Sequence, residues 1–442
     1  MAKFLNFTSR YKFSLLLLIF VVTLLLSLYH SFYFKIDPSV DADAYDGYAW
    51  SIASGGAYPI GAIGRPGPGY EYFLAFIYYL FGHSHPAVWI IQAILLGLSA
   101  IIVFFIAKLL FQESWHPAIG LFAAVFVGFS PDFIVLSSML MTETLSVFFI
   151  AVFLLLFFKN YRNPRWYWIL LSAPFLAAGI LTRGSALFLI FPAILFFIFE
   201  KKWREGLAFL LLFLIFMAPW TIRNYTVYGK FRPFNASPGL LWSGNYPGAN
   251  GELNPKMPYP PGVSNETMTQ DEFDDALFVA GVSEIKNHPF TFLKLTVLRA
   301  SIYFSAARPS AFWPYQERRP YFRPFIALAS AAHVFLIFAL GLLGAVTALK
   351  EALGAEFKKR IYYFLAFFAM MPASVVWLVV ETRYRFPAYI FFSLLAGYGI
   401  FWLITSQNRQ KLKYLALAVF PVLLNTFFDI LRNWSRVLEK LS

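Results

Sequence analysis

Apolar residues in this chain come in long unbroken runs, separated by short polar segments. A helix needs about 20 consecutive apolar residues to cross the hydrocarbon core of a bilayer. Runs of that kind lie at 12–33, 87–109, 117–135, 142–158, 166–182, 185–199, 205–222, 324–349, 361–380, 387–405 and 413–430. The pattern predicts an all-α polytopic membrane protein with about 11 transmembrane helices, within a range of about 10 to 13. Residues 290–306 read as a further span or as an interfacial helix. The first run is too long for the apolar region of a signal peptide and lacks a small-residue cleavage site, so it reads as a retained span.

Two longer stretches interrupt the series, at 34–86 and at about 223–323. They divide the chain into an N-terminal transmembrane module over 1–222 that includes the loop 34–86, a small region over 223–323, and C-terminal transmembrane helices over 324–442. Both stretches mix aromatic, Gly and Pro residues with apolar ones, unlike a disordered linker. No internal repeat is evident, which weighs against a transporter built from inverted halves.

Composition agrees with the pattern. The 442 residues are 59% hydrophobic and 13% charged, against roughly 25% charged in soluble chains. Without cysteine, disulfides, thiolate metal sites and Cys nucleophiles are excluded. The formal net charge of +13 does not point to nucleic acid, because the basic residues fall in short loops. They are Lys3, Arg10 and Lys12; Lys159, Arg162 and Arg165; Lys201, Lys202 and Arg204; Lys350, Lys358, Lys359 and Arg360; and Arg409, Lys411 and Lys413. With alternating spans all five groups fall on one side, which the positive-inside rule makes cytoplasmic. The N-terminus is then cytoplasmic and both long stretches lie outside. Arg432, Arg436 and Lys440 disagree, since an eleventh span would carry them outside too.

The loop 34–86 holds the first candidate chemistry. Asp37-Pro38 suits the start of a helix, Asp37 as cap and Pro38 at the first position, with Gly55-Gly56 ending it after Ser54. Within it Asp41, Tyr45 and Ala49 share one face. Asp41 and Asp43 read either as helix-start charges at a wet interface, which spacing alone favours, or as functional carboxylates. Asp41-Ala-Asp43 also resembles a metal-carrying DxD, a weak signal. Further on, Arg65 is the one charge in a Pro/Gly run that lets backbone approach a ligand closely. The short apolar stretch after Tyr70 fits an interfacial helix. His83 and His85 stand two apart with no obvious third ligand and read as interface residues.

More ionisable residues sit at the same predicted face. Glu143 opens the fourth span, Arg183 follows the fifth, Arg223 follows the seventh, and Arg383 and Arg385 precede the tenth. An ionisable residue at a helix centre costs about 2.5–3.5 kcal/mol on insertion scales, which marks such positions as functional candidates. Near a span end an arginine can instead reach the headgroups cheaply. Several arginines facing carboxylates on one side favour a site for an anionic lipid head.

The ordered motifs resemble a known superfamily. They are Asp41-x3-Tyr45-x3-Ala49, Gly55-Gly56-x-Tyr58, Arg65-Pro66-x-Pro68-Gly69-Tyr70, Leu80-Phe81-Gly82, Met141-Thr142-Glu143-Thr144-Leu145, Leu181-Thr182-Arg183-Gly184, Ala218-Pro219-Trp220-x2-Arg223-Asn224-Tyr225, and Glu381-Thr382-Arg383-Tyr384-Arg385-Phe386-Pro387. This series resembles the GT-C glycosyltransferases, closest to the protein O-mannosyltransferase-like and lipid A aminoarabinose-transferase-like groups. The resemblance implies a GT-C fold and an enzyme of a bacterial or archaeal plasma membrane. Such an enzyme moves a hexose or pentose from a polyprenyl-phosphate donor, undecaprenyl or dolichyl, to an acceptor hydroxyl outside the membrane, with inversion. It makes Asp41 the general base and Arg65, Arg183, Arg383 and Arg385 candidates for the donor phosphate. Asp43 and Glu143 are second carboxylates, and Tyr45, Tyr70 and Arg223 are further site candidates. The implied partners are the lipid-linked sugar, membrane lipids, and a protein, lipid or glycan acceptor, with no nucleic acid. No cofactor is required; whether a divalent cation takes part is open. Two other classes share the spans: an O-antigen polymerase or ligase, which has no need of the aspartate helix, and a lipid-linked sugar transporter.

Overall fold

In lipid a backbone must satisfy its own hydrogen bonds, so apolar runs of this length close as helices. The computed structural model describes residues 1–59, 67–231, 233, 239–254, 256–308, 320–351 and 353–434. Among these the regular elements are helical, and the strand-like pairing is one isolated bridge between Glu252 and Val380.

A short helix α1 (Ala2–Arg10) leads into α2 (Lys12–Phe34), and α3 (Asp41–Ala53) and α4 (Gly69–Phe81) occupy the first long loop. Then follow α5 (His85–Leu110), α6 (Pro117–Gly128), α7 (Pro131–Ser137), α8 (Glu143–Arg162), α9 (Trp166–Thr182), α10 (Ile190–Phe199) and α11 (Trp203–Tyr228). The second long stretch carries α12 (Leu240–Asn245), α13 (Gln270–Asn287) and α14 (Pro289–Tyr303). The chain ends in α15 (Arg323–Lys350), α16 (Ala355–Ala373), α17 (Phe386–Thr405) and α18 (Lys411–Arg432). Starts are encoded locally. Ser84 caps α5 at the Ala87 N–H, and Ser130 caps α7 at the Phe133 N–H. Both helices have Pro in their first two positions, where no N–H is wasted. Thr269 and Glu272 form a capping box on α13.

Seven helices are long and apolar enough to cross a membrane, namely α2, α5, α8, α11, α15, α17 with its lead-in from Thr382, and α18. The pair α6 and α7, bent by 53°, would make an eighth. The predicted number of about 11 is therefore only partly matched. The remaining predicted runs form helices that are too short or too charged. Trp166–Thr182 and Gly184–Phe199 are short apolar helices, and α16 begins with Glu356, Lys358, Lys359 and Arg360. The ambiguous run 290–306 forms α14, whose 15 residues rise only about 22 Å at 1.5 Å each, short of the roughly 30 Å core.

Packing sorts the helices into centre and rim. The apolar window of α17 is 72% buried, against 11% for α18, whose Leu417, Phe420, Leu424 and Phe427 face outward. Glycines let neighbours close on α17: a Cβ on Gly344 would lie 1.9 Å from the Leu395 carbonyl oxygen, and one on Gly397 would lie 2.5 Å from that of Ile119. So α17 is held between α15 and α6, and the segment that feeds it is fixed in place.

The charged residues gather at two ends of the bundle. At one end Lys359 bonds Glu200 at 2.7 Å, Tyr161 donates to Glu356 at 3.1 Å, and Arg360 pairs with Glu113. At the other lie Asp41, Glu143, Arg183, Glu381 and Arg383, joined as described below. The C-terminal end of α18 sits at yet another set of contacts on that second end, because Arg308 binds both Asp429 at 2.6 Å and Glu252 at 2.8 Å. Arg432 pairs with Asp429 at 2.9 Å, so this basic residue, which disagreed with the loop pattern, is part of an ion-pair network. Arg436 and Lys440 lie outside the described residues.

Candidate active site

The site begins with the start of α3. The predicted helix over Asp37–Ser54 in fact starts at Asp41, because Val40 adopts φ 53°, outside helical geometry, and no side chain caps the end. Asp41 thereby becomes the first helical residue, where the dipole favours a carboxylate. Two other elements meet it. Glu143 is the first residue of α8, and Arg183 follows α9. Glu381, Arg383 and Tyr384 lie in and just before the 3₁₀ turn Thr382–Arg385 that precedes α17.

These residues form three ion pairs, built on two arginines that both lie near one ring. Arg383 donates from Nη1 to Asp41 Oδ2 at 2.8 Å and from Nε to Glu381 Oε2 at 2.6 Å. Arg183 donates from Nη1 to Glu143 Oε1 at 2.8 Å and to the Thr142 hydroxyl at 3.0 Å. The Arg183 and Arg383 guanidiniums lie 5.3 and 6.0 Å from the centroid of the Tyr384 ring. The halves differ in access. Glu143 is wholly buried and Arg183 nearly so, whereas the Asp41 and Arg383 side chains keep 34% and 28% exposure. One pair is a fixed part of the interior; the other can meet a ligand.

Aromatic residues support the closed side. Tyr45 is buried under Asp41 with its ring edge-on to Tyr70 at 5.4 Å. Burial, and then the negative charges of Asp41, Glu143 and Glu71, push the Tyr45 phenol up despite Arg183, so it stays protonated as a donor. Tyr70 donates to Gln92 at 2.9 Å, and Gln92 in turn donates to the Ser137 and Met139 carbonyls at 3.0 and 2.8 Å. That chain of bonds fixes α4 against α5 and the turn leading to Glu143.

The other candidates are placed apart. Arg385 is buried and donates to the Tyr389 hydroxyl and to the Ser305 and Arg308 carbonyls, at 2.9, 2.5 and 2.6 Å. Its donors hold backbone together and do not face Asp41. Arg223 donates to the Tyr58 and Pro59 carbonyls at 3.2 and 3.3 Å and packs on the Tyr58 and Trp220 rings. Asp43 is exposed and joins no cluster of metal-ligating residues among those described. Arg65 lies outside the described residues. Its Pro/Gly run does permit close backbone approach, but to protein: a Cβ on Gly67 would lie 2.3 Å from the Leu181 carbonyl oxygen, two residues before Arg183.

Some contributors were not singled out in the sequence. Glu381, Thr142 and Tyr384 stand inside the quoted motifs without an assigned role, and their neighbours Arg383, Glu143 and Arg385 were the signal. Arg299, fully buried on α14, had none. It donates to the Val376 carbonyl at 3.0 Å, to Asn245 at 2.7 Å and to the Gly244 carbonyl, tying α12 and α14 to the chain after α16. His83 and His85 do find a third partner, Asp46 of α3. Burial raises the Asp46 carboxyl, but hydrogen bonds from His85, Tyr78 and His83 outweigh it and bring its pKa to about 2.

With this geometry in place, comparison with known proteins is informative. A family model for dolichyl-phosphate-mannose-protein mannosyltransferases matches residues 65–222, less than half of the chain. An archaeal oligosaccharyltransferase from Archaeoglobus fulgidus, solved with an inhibitory peptide and a dolichol-phosphate, superposes with TM-score 0.53 at 12% identity, over 95% of this chain and 56% of that one. The chain has the GT-C fold. The apo form of an Archaeoglobus fulgidus oligosaccharyltransferase gives TM-score 0.54 at 11% identity, over 96% of this chain and 55% of that one. The chain thus spans little more than half the length of those solved proteins. ArnT from Cupriavidus metallidurans, bound to undecaprenyl phosphate, gives TM-score 0.42 at 15% identity, over 87% of this chain and 77% of that one. No curated protein matches the chain. The matched family segment runs from the loop before α4 into α11 and so contains Glu143 and Arg183, while Asp41 and Arg383 come from outside it.

Proposed function

We propose that this protein is an integral membrane glycosyltransferase that moves a sugar from a polyprenyl-phosphate donor to an acceptor hydroxyl. One observation carries the reading: a partly exposed carboxylate, Asp41, is hydrogen-bonded to a partly exposed arginine, Arg383, beside a second, buried arginine. A base and a phosphate clamp are what displacement of a lipid phosphate from a sugar needs. The acceptor oxygen attacks the anomeric carbon while the bond from that carbon to the phosphate oxygen breaks. The hydroxyl proton passes to Asp41, and the phosphate leaves with the bonding electrons. A single displacement inverts the anomeric centre.

The division of labour follows from the hydrogen bonds. Arg383 uses Nε and Nη1 on Glu381 and Asp41, which leaves Nη2 to bind the phosphate and stabilise its growing charge. Arg183, fixed by Glu143 and Thr142, adds positive charge from behind. Glu143 orients that arginine. The reading requires no cofactor: Arg383 Nη2 is the group proposed to take the phosphate charge.

The reading includes eleven crossings, with the shorter helices α9, α10 and α16 counted, a cytoplasmic N-terminus and an outward-facing Asp41. The end of the bundle opposite Asp41 carries the basic loop residues Lys359 and Arg360, which supports this orientation. Residues 1–222 form the N-terminal part of the site, and the C-terminal helices supply Arg383. The test is mass spectrometry of lipids copurifying with the protein, followed by transfer from the lipid so identified to a hydroxyl acceptor. A polyprenyl-phosphate sugar is expected. Asp41→Asn should lower transfer by about 10²–10⁴-fold, the usual worth of a general base, with insertion into the membrane unchanged. Full activity in that variant overturns the assignment of Asp41.

A further inference from the structure

The contacts of Asp46 place three metal-ligating side chains together at a site separate from Asp41. His83 Nε2 lies 2.8 Å from Asp46 Oδ1, and His85 Nε2 lies 3.2 Å from Asp46 Oδ2. One ligand atom from each of the three residues falls within 4.8 Å of the other two. Asp46 follows Asp41 by five residues on α3, about 140° around the helix at 100° per residue. It therefore faces α4 and the start of α5, while Asp41 faces Arg383. We propose that Asp46, His83 and His85 form a binding site for a divalent transition metal of the zinc class, which braces α3 against the α4–α5 corner.

The donor set selects the metal. Two imidazole nitrogens and one carboxylate suit zinc and its neighbours, whereas magnesium and calcium prefer oxygen alone. Three protein ligands leave a fourth tetrahedral position for water. Bonds of about 2.0–2.2 Å put tetrahedral ligand atoms roughly 3.4 Å apart, so the two histidine–aspartate contacts need only open slightly to admit the ion. His83 follows Gly82 at φ 71° in the turn between the two helices, where small adjustments are cheap.

The surroundings support a held site. The Tyr78 hydroxyl donates to Asp46 Oδ1 at 2.5 Å, the second partner that metal-binding carboxylates characteristically have. The His83 ring stacks on Trp50 at 4.9 Å with an interplanar angle of 8°, and stands edge-on to His85 at 5.4 Å. Asp46 is largely enclosed, while both imidazoles are about one-third exposed, so an ion has a way in. Both histidines point Nε2 at the one carboxylate, so the same nitrogen of each ring is aimed at the proposed ion position. Because α3 begins at Asp41, the ion would hold the helix that presents Asp41; the binding itself does not depend on the transferase reading.

The test uses the full-length protein in detergent micelles, stripped with a chelator, exposed to zinc sulfate and freed of excess metal. Elemental analysis should find one zinc per chain, and thermal unfolding should shift upward on zinc addition. His85→Gln keeps a side chain able to donate to Asp46 but loses the ligand nitrogen, so it should abolish both effects while remaining folded. Tyr78→Phe should weaken zinc affinity by about 10–100-fold, as loss of an outer hydrogen-bond partner does. The proposal is overturned if wild-type protein retains no zinc, if the His83→Gln/His85→Gln double variant retains as much as wild type, or if magnesium binds the site as tightly as zinc.

Discussion

Arg183 and Arg383 both lie near the Tyr384 ring but live in different surroundings, and the difference fixes what each substitution should do. Arg183→Ala strands the wholly buried Glu143 without its cation. Breaking one partner of a buried pair typically costs about 3–5 kcal/mol, so this variant should lose thermal stability in detergent and bind donor poorly only as a consequence. Arg383→Ala removes two partly exposed pairs, with Asp41 and Glu381, each worth about 0–1 kcal/mol at most sites, so the melting temperature should move less than in Arg183→Ala. Donor KM should instead rise, because the arginine proposed to clamp the phosphate is gone. Denaturation scans and donor titrations on the two variants separate the roles. Equal loss of stability in both would show that Arg383 is a structural residue. At this scale the sequence carried residue identity and the end of the span, which was enough to group Asp41, Glu143, Arg183 and Arg383. It could not carry side-chain direction. Arg385 sits two positions from Arg383, yet its guanidinium turns back to bind the Ser305 and Arg308 carbonyls.

Element boundaries show the same division between what is local and what is not. Ser followed by Pro is a local start signal for α5 and α7, acting on the adjacent turn, although the run 117–135 was read as unbroken across the start of α7. The start of α3 was misread by three residues, since the positive φ of Val40, an exposed residue, follows from no local sequence signal. The third partner of His83 and His85 lies 37 and 39 residues upstream, a distance no local pattern spans. Close helix packing was equally hidden, because a glycine in an apolar run does not reveal what touches it. Gly344 is the sharpest case. A methyl group there would meet the backbone of α17 at Leu395, which cannot rotate away. Gly344→Ala should push α15 from α17 and cost about 1–3 kcal/mol as overpacking does. Because α17 continues directly from the turn carrying Arg383, transfer activity should fall along with the melting temperature. An unchanged melting temperature would mean that the two helices are not in contact at this height.

For the whole molecule, the basic loops predict one sidedness except at the C-terminus, where the charge pattern contradicted the span count. The contacts account for one of the three residues involved, Arg432. Arg432 pairs with Asp429, and Arg308 joins Asp429 to Glu252, a residue of the segment between α11 and α15. A basic residue neutralised in this way does not act as a free topological signal, and the end of α18 is anchored to the same region as Arg385 and Ser305. The chain contains no cysteine, so single cysteines can report position without a modified background. Asp43 and Trp434 are exposed near the two contributions to that end, and Lys3 and Arg409 are exposed in loops predicted to lie opposite. In intact cells a membrane-impermeant thiol reagent should label Asp43→Cys and Trp434→Cys, and should reach Lys3→Cys and Arg409→Cys only after the membrane is opened. Labelling of Trp434→Cys together with Lys3→Cys would place the end of α18 on the cytoplasmic side, and the ion pairs of Arg308 and Arg432 could not then form across the bilayer.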